Sequence, residues 1–256
     1  MSNVNRGGLK ALLHPLFRRL RKMDPRGWLP AVRQAKRLER AWDERARSNA
    51  RYFVATGKTD WTDEEFFASG DETVANHILT DMTNICQEKL PGEMRVLEIG
   101  CGAGRVTKAL AGVFGEIHAV DVSGEMVRLA QLALAGQPHA HVYHNNGLDL
   151  SVVPDLPFDF AFSTLVFQHI PSRTIIDSYV REASRLLRPG ALFKFQVRGN
   201  TADESSAADP WVGVAFSDRD VVEMAEANGF EARYRVGAGT QDFWLWFFRK
   251  PSVETC

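Results

Sequence analysis

The chain has 256 residues, which suits one α/β domain with appendages and is short for two full domains. Its 45% hydrophobic and 25% charged content is that of a globular protein with a sizeable core, which argues against a disordered or fibrous chain. Three widely spaced cysteines, Cys86, Cys101 and Cys256, argue against a disulfide framework and fit a reducing cytosol.

Charge is unevenly spread. Residues 1–51 hold 14 Lys and Arg against 4 Asp and Glu, whereas the remainder holds 17 against 28. Such a basic arm fits contact with a membrane surface or nucleic acid, or packing on the acidic body of its own or a second subunit. Packing is the preferred reading; peripheral membrane contact and a homodimer stay open. The first apolar stretch, Leu9 to Leu20, is broken by Lys10, His14, Arg18 and Arg19, unlike a secretion signal, and no apolar run is long enough for a bilayer. The chain reads as soluble and cytoplasmic.

Leu9, Leu12, Leu13, Leu16, Phe17 and Leu20 recur at helical spacing, predicting a helix over 8–22. A second helix is expected from Ala31 to about Asn49, with Val32, Ala35, Leu38 and Trp42 on its apolar side. An aromatic link follows, from Tyr52-Phe53 through Trp61 and Phe66-Phe67 to Ser69-Gly70. Val74, Ile78, Leu79, Met82 and Ile85 predict another amphipathic helix, stopped by Pro91-Gly92. The division is thus a helical arm and lid over 1–71 and a main domain over 72–256.

From Arg95 short apolar runs alternate with helices, the pattern of a parallel α/β sheet. Strands are expected at 95–99, 117–121, 141–145, 158–163 and 191–197, with helices near 104–113, 124–135 and 172–187. Ser217 caps a last helix that ends at Gly229. Strands 231–236 and 242–249 are joined by Gly237-Ala238-Gly239, too short a link for anything but an antiparallel pair. The fold class is α/β, a Rossmann-like doubly wound sheet, mostly parallel with an antiparallel C-terminal strand, plus an N-terminal helical extension.

The strand Arg95-Val-Leu-Glu-Ile99 runs into Gly100-Cys-Gly-Ala-Gly104 and then a helix. Such glycines permit a tight turn and close approach of a ligand to backbone N–H groups. Arg105 stands where a dinucleotide motif has its third glycine, and Glu98 would repel a pyrophosphate while suiting an ammonium or sulfonium. The second strand ends at Asp121, about 20 residues past the glycines, where a carboxylate takes ribose hydroxyls. Val122 and Met126 offer apolar cover for an adenine, and the third strand ends in Asn145-Asn-Gly147.

Leu97-Glu-Ile-Gly-Cys-Gly-Ala-Gly-Arg105, Val120-Asp-Val-Ser123, Phe158-Asp-Phe160, Gln168-His-Ile170 and Leu187-Arg-Pro-Gly190 come in the order and spacing of one family's motifs. Together they resemble class I S-adenosylmethionine-dependent methyltransferases, over about residues 72–249. The resemblance implies S-adenosylmethionine as cofactor, with its methionine part on Gly100, Cys101, Gly102 and Gly104 and its ribose on Asp121. Asn146 stands where the family often has an aspartate for the adenine amino group. Glu98, Val122, Met126, Gly147 and Ser163 complete the candidate cofactor site.

Methyl transfer needs alignment and a dry site, and a hydroxyl acceptor also needs a base. His169, just after the fourth strand, is the candidate; bracing its loop is the alternative. His139, His141 and His144 resemble metal spacing, but on a strand 139 and 141 point one way and 144 the other, so no metal is expected. The aromatic link, the segment Gly199–Ala215 with Trp211, and Gln241 and Trp244 are candidates for choosing the acceptor. A small organic acceptor, methylated at oxygen, is the leading expectation. An RNA or protein methyltransferase using the arm is the runner-up, though Ser163-Thr-Leu-Val166 lacks the Asn-Pro-Pro-Tyr pattern of base amino-group methylation. A non-catalytic nucleoside binder is the third reading.

Overall fold

The computed structural model describes residues 25–200 and 212–251. The helix expected over 8–22 and Trp211 lie outside them. Helix α1 (Pro25–Val54) carries a break at Asn49, whose φ of −160° and ψ of 82° leave the helical region. Asn49 closes the break itself: its Oδ1 accepts the Tyr52 N–H at 3.1 Å and its Nδ2 donates to Thr59 O at 2.9 Å. Ala31, Ala35, Leu38 and Ala46 are buried at helical spacing, Trp42 is partly covered, and Val32 turns off that stripe.

Helix α2 (Asp63–His77) starts well before the expected amphipathic segment. Thr62 and Glu65 form a capping box, each side chain meeting the other's backbone N–H. The aromatic link is therefore partly helix, and the division between 71 and 72 falls inside α2. Gly70 belongs there because a Cβ would lie 2.2 Å from the Arg105 carbonyl oxygen, so only glycine lets α2 press onto the next layer. A 3₁₀ turn (Leu79–Asp81) and the short α3 (Met82–Cys86) replace the rest of the expected helix.

The sheet is built from β1 (Arg95–Ile99), β2 (Glu116–Asp121), β3 (Ala140–His144), β4 (Phe158–Ser163), β5 (Leu187–Gly199), β6 (Ala215–Phe216), β7 (Phe230–Val236) and β8 (Phe243–Arg249). Its order is β3-β2-β1-β4-β5-β8-β7, with the short β6 beside β5. β1 to β5 pair in parallel, and β8 runs antiparallel between β5 and β7. Strand β5 begins earlier than expected: Leu187 pairs with Phe158, and the Pro189-Gly190 turn is absorbed as an irregularity before Leu192 meets Phe160.

Helices α4 (Arg105–Ala111), α5 (Gly124–Ala133), α6 (Arg173–Leu186) and α7 (Asp218–Ala227) cover the sheet. Ser123, Ser172 and Ser217 each cap the helix that follows by accepting a backbone N–H. One core lies between the sheet and α1 and α6, and a second lies under α2 to α4. Strand order reverses at β1, between β2 and β4, so a crevice opens at the carboxyl ends of those strands, where doubly wound sheets bind ligands. Among the described residues, no helix is long and apolar enough to cross a membrane.

Candidate active site

A cleft of about 930 Å³, counted to its open mouth, lies in that crevice. Its floor is the β1–α4 turn. Gly100, Gly102 and Gly104 have φ of +79°, +52° and +84°, conformations that side chains with a Cβ rarely adopt. The loop is closed on itself. Gly100 and Cys101 N–H both donate to Val120 O at 2.8 and 3.0 Å, Gly104 N–H donates to Cys101 O at 3.0 Å, and Gly102 N–H donates to Asp121 Oδ2 at 2.9 Å. An anion cradle needs unspent N–H donors at a helix start, and these four are spent. These four are therefore not free to hold a pyrophosphate.

Glu98 lies at the end of β1, is 3% exposed and lines the cleft. Its Oε2 has no hydrogen-bond partner. Burial pushes its carboxyl up to about 7, against the opposing pull of the Thr107 hydroxyl and the Arg105 guanidinium. Arg105 also lines the cleft, but its Nη1 is spent on α2, donating to Ser69 O at 2.7 Å and Thr73 Oγ1 at 2.9 Å. A buried carboxylate oxygen without a donor is costly, and a ligand ammonium would supply one.

Asp121 ends β2. Its Oδ2 holds Gly102 N–H and its Oδ1 takes Ser123 N–H at 2.8 Å. Burial raises its pKa, with the Ser123 and Gly102 N–H groups opposing. Each oxygen keeps a second lone pair, so the carboxylate can still accept hydroxyl donors from a ligand. Cys101 is buried and burial raises its thiol well above the ordinary value, so the residue contributes size and not a nucleophile.

The opposite wall comes from α1 and the loop after β4. Leu38, Trp42, Phe53 and Val54 line one side, and Thr164, Leu165, Val166 and His169 the other. Trp42 meets the His169 ring edge-on at 5.6 Å. Leu165 has a φ of +58°, a strained conformation for a leucine. Buried Gln196 braces it by accepting the Leu165 N–H on Oε1 at 3.2 Å while donating to Asp242 Oδ1 at 2.5 Å.

Residues 97–195 match the family model described as a methyltransferase domain. Over that segment the chain carries a methyltransferase domain. A ubiquinone biosynthesis O-methyltransferase from Xanthomonas oryzae is 30% identical over 97 residues, 38% of this chain and 39% of that protein. The Xanthomonas campestris protein of the same name is 30% identical over 102 residues, 40% of this chain and 41% of the relative. The match thus spans about two fifths of the length of these curated relatives. A solved magnesium protoporphyrin IX methyltransferase from Synechocystis superposes with a TM-score of 0.61 at 15% identity, covering 84% of this chain and 99% of that one. A methyltransferase structure from Clostridium acetobutylicum gives 0.56 at 15%, covering 72% and 92%. At these identities the structures show the fold.

Of the residues expected to serve the methyltransferase domain's cofactor, Glu98, Gly100, Cys101, Gly102, Asp121, Val122, Met126 and Gly147 line the cleft, as does His169. Three do not. Gly104 starts α4 against Ala130, where its added Cβ would lie 3.2 Å from the Ala130 Cα. Ser163 is buried and donates from Oγ to Ile99 O at 2.8 Å, tying β4 to β1. Asn146 is exposed, and its Oδ1 is spent on Leu148 and Asp149 N–H at 2.8 and 3.0 Å. Asn145 lines the cleft in its place, with Nδ2 donating to the Tyr179 hydroxyl at 2.7 Å.

Phe53, from the aromatic link expected to help choose the acceptor, lines the cleft, whereas Val54, Tyr179 and the Thr164–Val166 loop carried no sequence signal that marked them for the site. The capping serine Ser123 did carry one. It caps α5 by accepting Met126 N–H at 3.1 Å and also donates to Asp43 of α1 at 2.6 Å. Of the acceptor candidates, Trp244 stacks on His77 at 4.3 Å away from the cleft lining, and Gln241 is exposed.

Proposed function

We propose that this protein transfers the methyl group of S-adenosylmethionine to an oxygen of a small organic acceptor. The buried, unpartnered Oε2 of Glu98, beside a glycine turn in which four backbone N–H groups are already spent, carries the reading. That chemistry selects a cation and rejects a pyrophosphate. Bound there, S-adenosylmethionine supplies an electrophilic methyl group on a sulfonium.

The chain's own residues supply position and dryness. Glu98 takes the ammonium, Asp121 the ribose hydroxyls, and Val122 and Met126 an adenine face. Leu38, Trp42 and Phe53 on one side and Leu165 on the other close an apolar chamber at the mouth, which suits a planar, largely apolar acceptor. His169 stands on that acceptor side, where a neutral imidazole takes the proton of a hydroxyl as the new bond forms. The name shared by the Xanthomonas relatives supports oxygen as the atom.

The test is methyl-label transfer to a panel of phenols, catechols and hydroxyquinones, followed by product mass. His169→Gln is expected to leave cofactor affinity intact and to lower kcat by about 10²-fold or more. Full turnover in that variant removes the base and leaves alignment to carry catalysis. Arg33, Lys36, Arg37 and Arg40, exposed on α1, support a second reading, an RNA substrate held by the arm. Salt-sensitive binding of tRNA or rRNA, with label in the RNA, would favour it.

A further inference from the structure

We propose that Glu116, His118 and His141 form a binding site for a divalent transition-metal ion at the amino-terminal end of the sheet, remote from the cleft. Glu116 and His118 are two apart on β2 and so share a face, and His141 on β3 is the registered partner of His118. Glu116 Oε1 lies 2.8 Å from His118 Nε2 and 3.9 Å from His141 Nε2, and the three atoms all lie within 4.8 Å of one another. A tetrahedral ion bound at about 2.0–2.1 Å holds its ligand atoms roughly 3.3–3.4 Å apart, so small side-chain rotations suffice. Two imidazoles and one carboxylate, with a fourth position open to solvent, suit zinc, cobalt or nickel.

The surroundings orient these ligands. Arg95 donates from Nε at 2.8 Å and lies within 2.7 Å at Nη2, both on Glu116 Oε2, which leaves Oε1 turned toward the imidazoles. The Tyr143 hydroxyl lies 3.0 Å from His118 Nδ1. With a proton on Nδ1 donated to Tyr143, His118 presents the Nε2 lone pair to an ion, the arrangement that second partners impose on metal-binding histidines. His141 is 43% exposed at its side chain and gives the ion a way in.

This is a different set from the histidine triplet of the sequence. His139 Nε2 faces Ala111 O at 2.9 Å and His144 Nε2 faces Val122 O at 3.0 Å, so those two rings point elsewhere. Glu116, 25 residues from His141 in the chain, is the carboxylate the local pattern did not reveal. β3 is an edge strand with β2 as its one neighbour in the sheet order, so an ion bridging the two strands would clamp that edge.

Calorimetric titration of the untagged, chelator-treated full chain with zinc chloride tests the site, with cobalt chloride read by visible absorption. The expected result is one equivalent bound, a ligand-field spectrum of low coordination number, and a higher Tm with zinc. His141→Ala and Glu116→Gln should each weaken binding by at least about 10-fold, and Tyr143→Phe by about 10-fold, while His139→Ala changes nothing. Four outcomes overturn the proposal: no saturable binding at millimolar zinc, undiminished binding in His141→Ala, loss of binding in His139→Ala, or loss of binding in Cys86→Ser.

Discussion

Ser123 donates its hydroxyl proton to Asp43 Oδ1 at 2.6 Å, and this hydrogen bond latches the N-terminal helix α1 to the start of α5. The same Asp43 oxygen accepts Glu125 N–H at 3.2 Å, so a carboxylate sits at a helix N-terminus where the dipole favours it. Burial raises the Asp43 pKa, but Ser123, Glu125 N–H and Arg47 outweigh it and the net shift is downward. Its contribution is therefore present above an unfolded value near 4 and lost as pH falls through the lower folded value. Asp43→Ala is expected to cost about 1–3 kcal/mol and to loosen the wall that Leu38 and Trp42 give the cleft. S-adenosylhomocysteine affinity should fall with Tm. A variant that loses Tm but binds with wild-type affinity would show that α1 is not part of the cofactor wall.

Glu98 makes stability and cofactor binding depend on pH in opposite senses. Its folded pKa of about 7 lies above the unfolded value near 4.5, so the folded state holds the proton more tightly. Its own contribution to stability is highest below about pH 4.5 and declines as pH rises toward 7, by on the order of 3 kcal/mol in the ligand-free protein. An ammonium needs the ionised form, so S-adenosylhomocysteine should bind more tightly as pH climbs from about 6 to 7.5. Glu98→Gln should flatten both profiles, raise the ligand-free Tm above pH 7 and weaken binding. Denaturant melts and calorimetry across that range check both halves. Parallel profiles in wild type and variant would put the ammonium elsewhere.

Gly100 is irreplaceable for two reasons that act together. Its φ is +79°, and an added Cβ would lie 2.2 Å from Val166 Cγ2, in the loop that carries the acceptor side of the cleft. Gly100→Ala should therefore cost more than the roughly 1–2 kcal/mol of left-handed strain alone and abolish cofactor binding. Gly57→Ala is the control, since a Cβ there meets nothing within 4 Å. Equal Tm and equal affinity in the two variants would contradict the packing described for the turn.

Lys194 is buried in β5 and donates to His77 O at 2.6 Å and Asp81 Oδ2 at 2.8 Å. Trp246 Nε1 and Asn84 Nδ2 complete the Asp81 carboxylate at 2.5 and 2.7 Å. Lys194→Met removes the counter-charge of that carboxylate and should cost about 3–5 kcal/mol. The double variant Lys194→Met, Asp81→Asn removes both charges and should recover part of the loss. Chemical denaturation of the two proteins decides it: no recovery would mean that lysine packing, and not the charge pair, holds α2's end to the sheet.

Seven of the eight strands were legible as short runs bounded by turns, whereas the two-residue β6 was not expected and β5 begins at Leu187, where a helix end was read. The turn at Gly100 to Gly104 and the carboxylates of Glu98 and Asp121 were legible as neighbours at the strand ends, because they lie next to those strands in the chain. Helix α2 was missed at its start because Phe66, Phe67 and Gly70 read as a link, while the Thr62–Glu65 capping box was the overlooked sign. Asn145 and Asn146 could not be separated by sequence, since the choice depends on which side chain the turn to Asp149 consumes. The wall from Trp42, Phe53 and Leu165 was illegible because it joins segments more than 100 residues apart. The Glu116–His118–His141 group likewise exists only through strand register.

Calorimetric titration of the whole chain with S-adenosylhomocysteine at pH 7.5 tests the central assignment, a cation-selecting cofactor cleft at the ends of β1 and β2. The account predicts saturable binding at one equivalent, competed by S-adenosylmethionine and not by NAD, and abolished by Gly100→Ala. No saturable heat at millimolar ligand, or NAD displacing the bound nucleoside at comparable concentration, would contradict it.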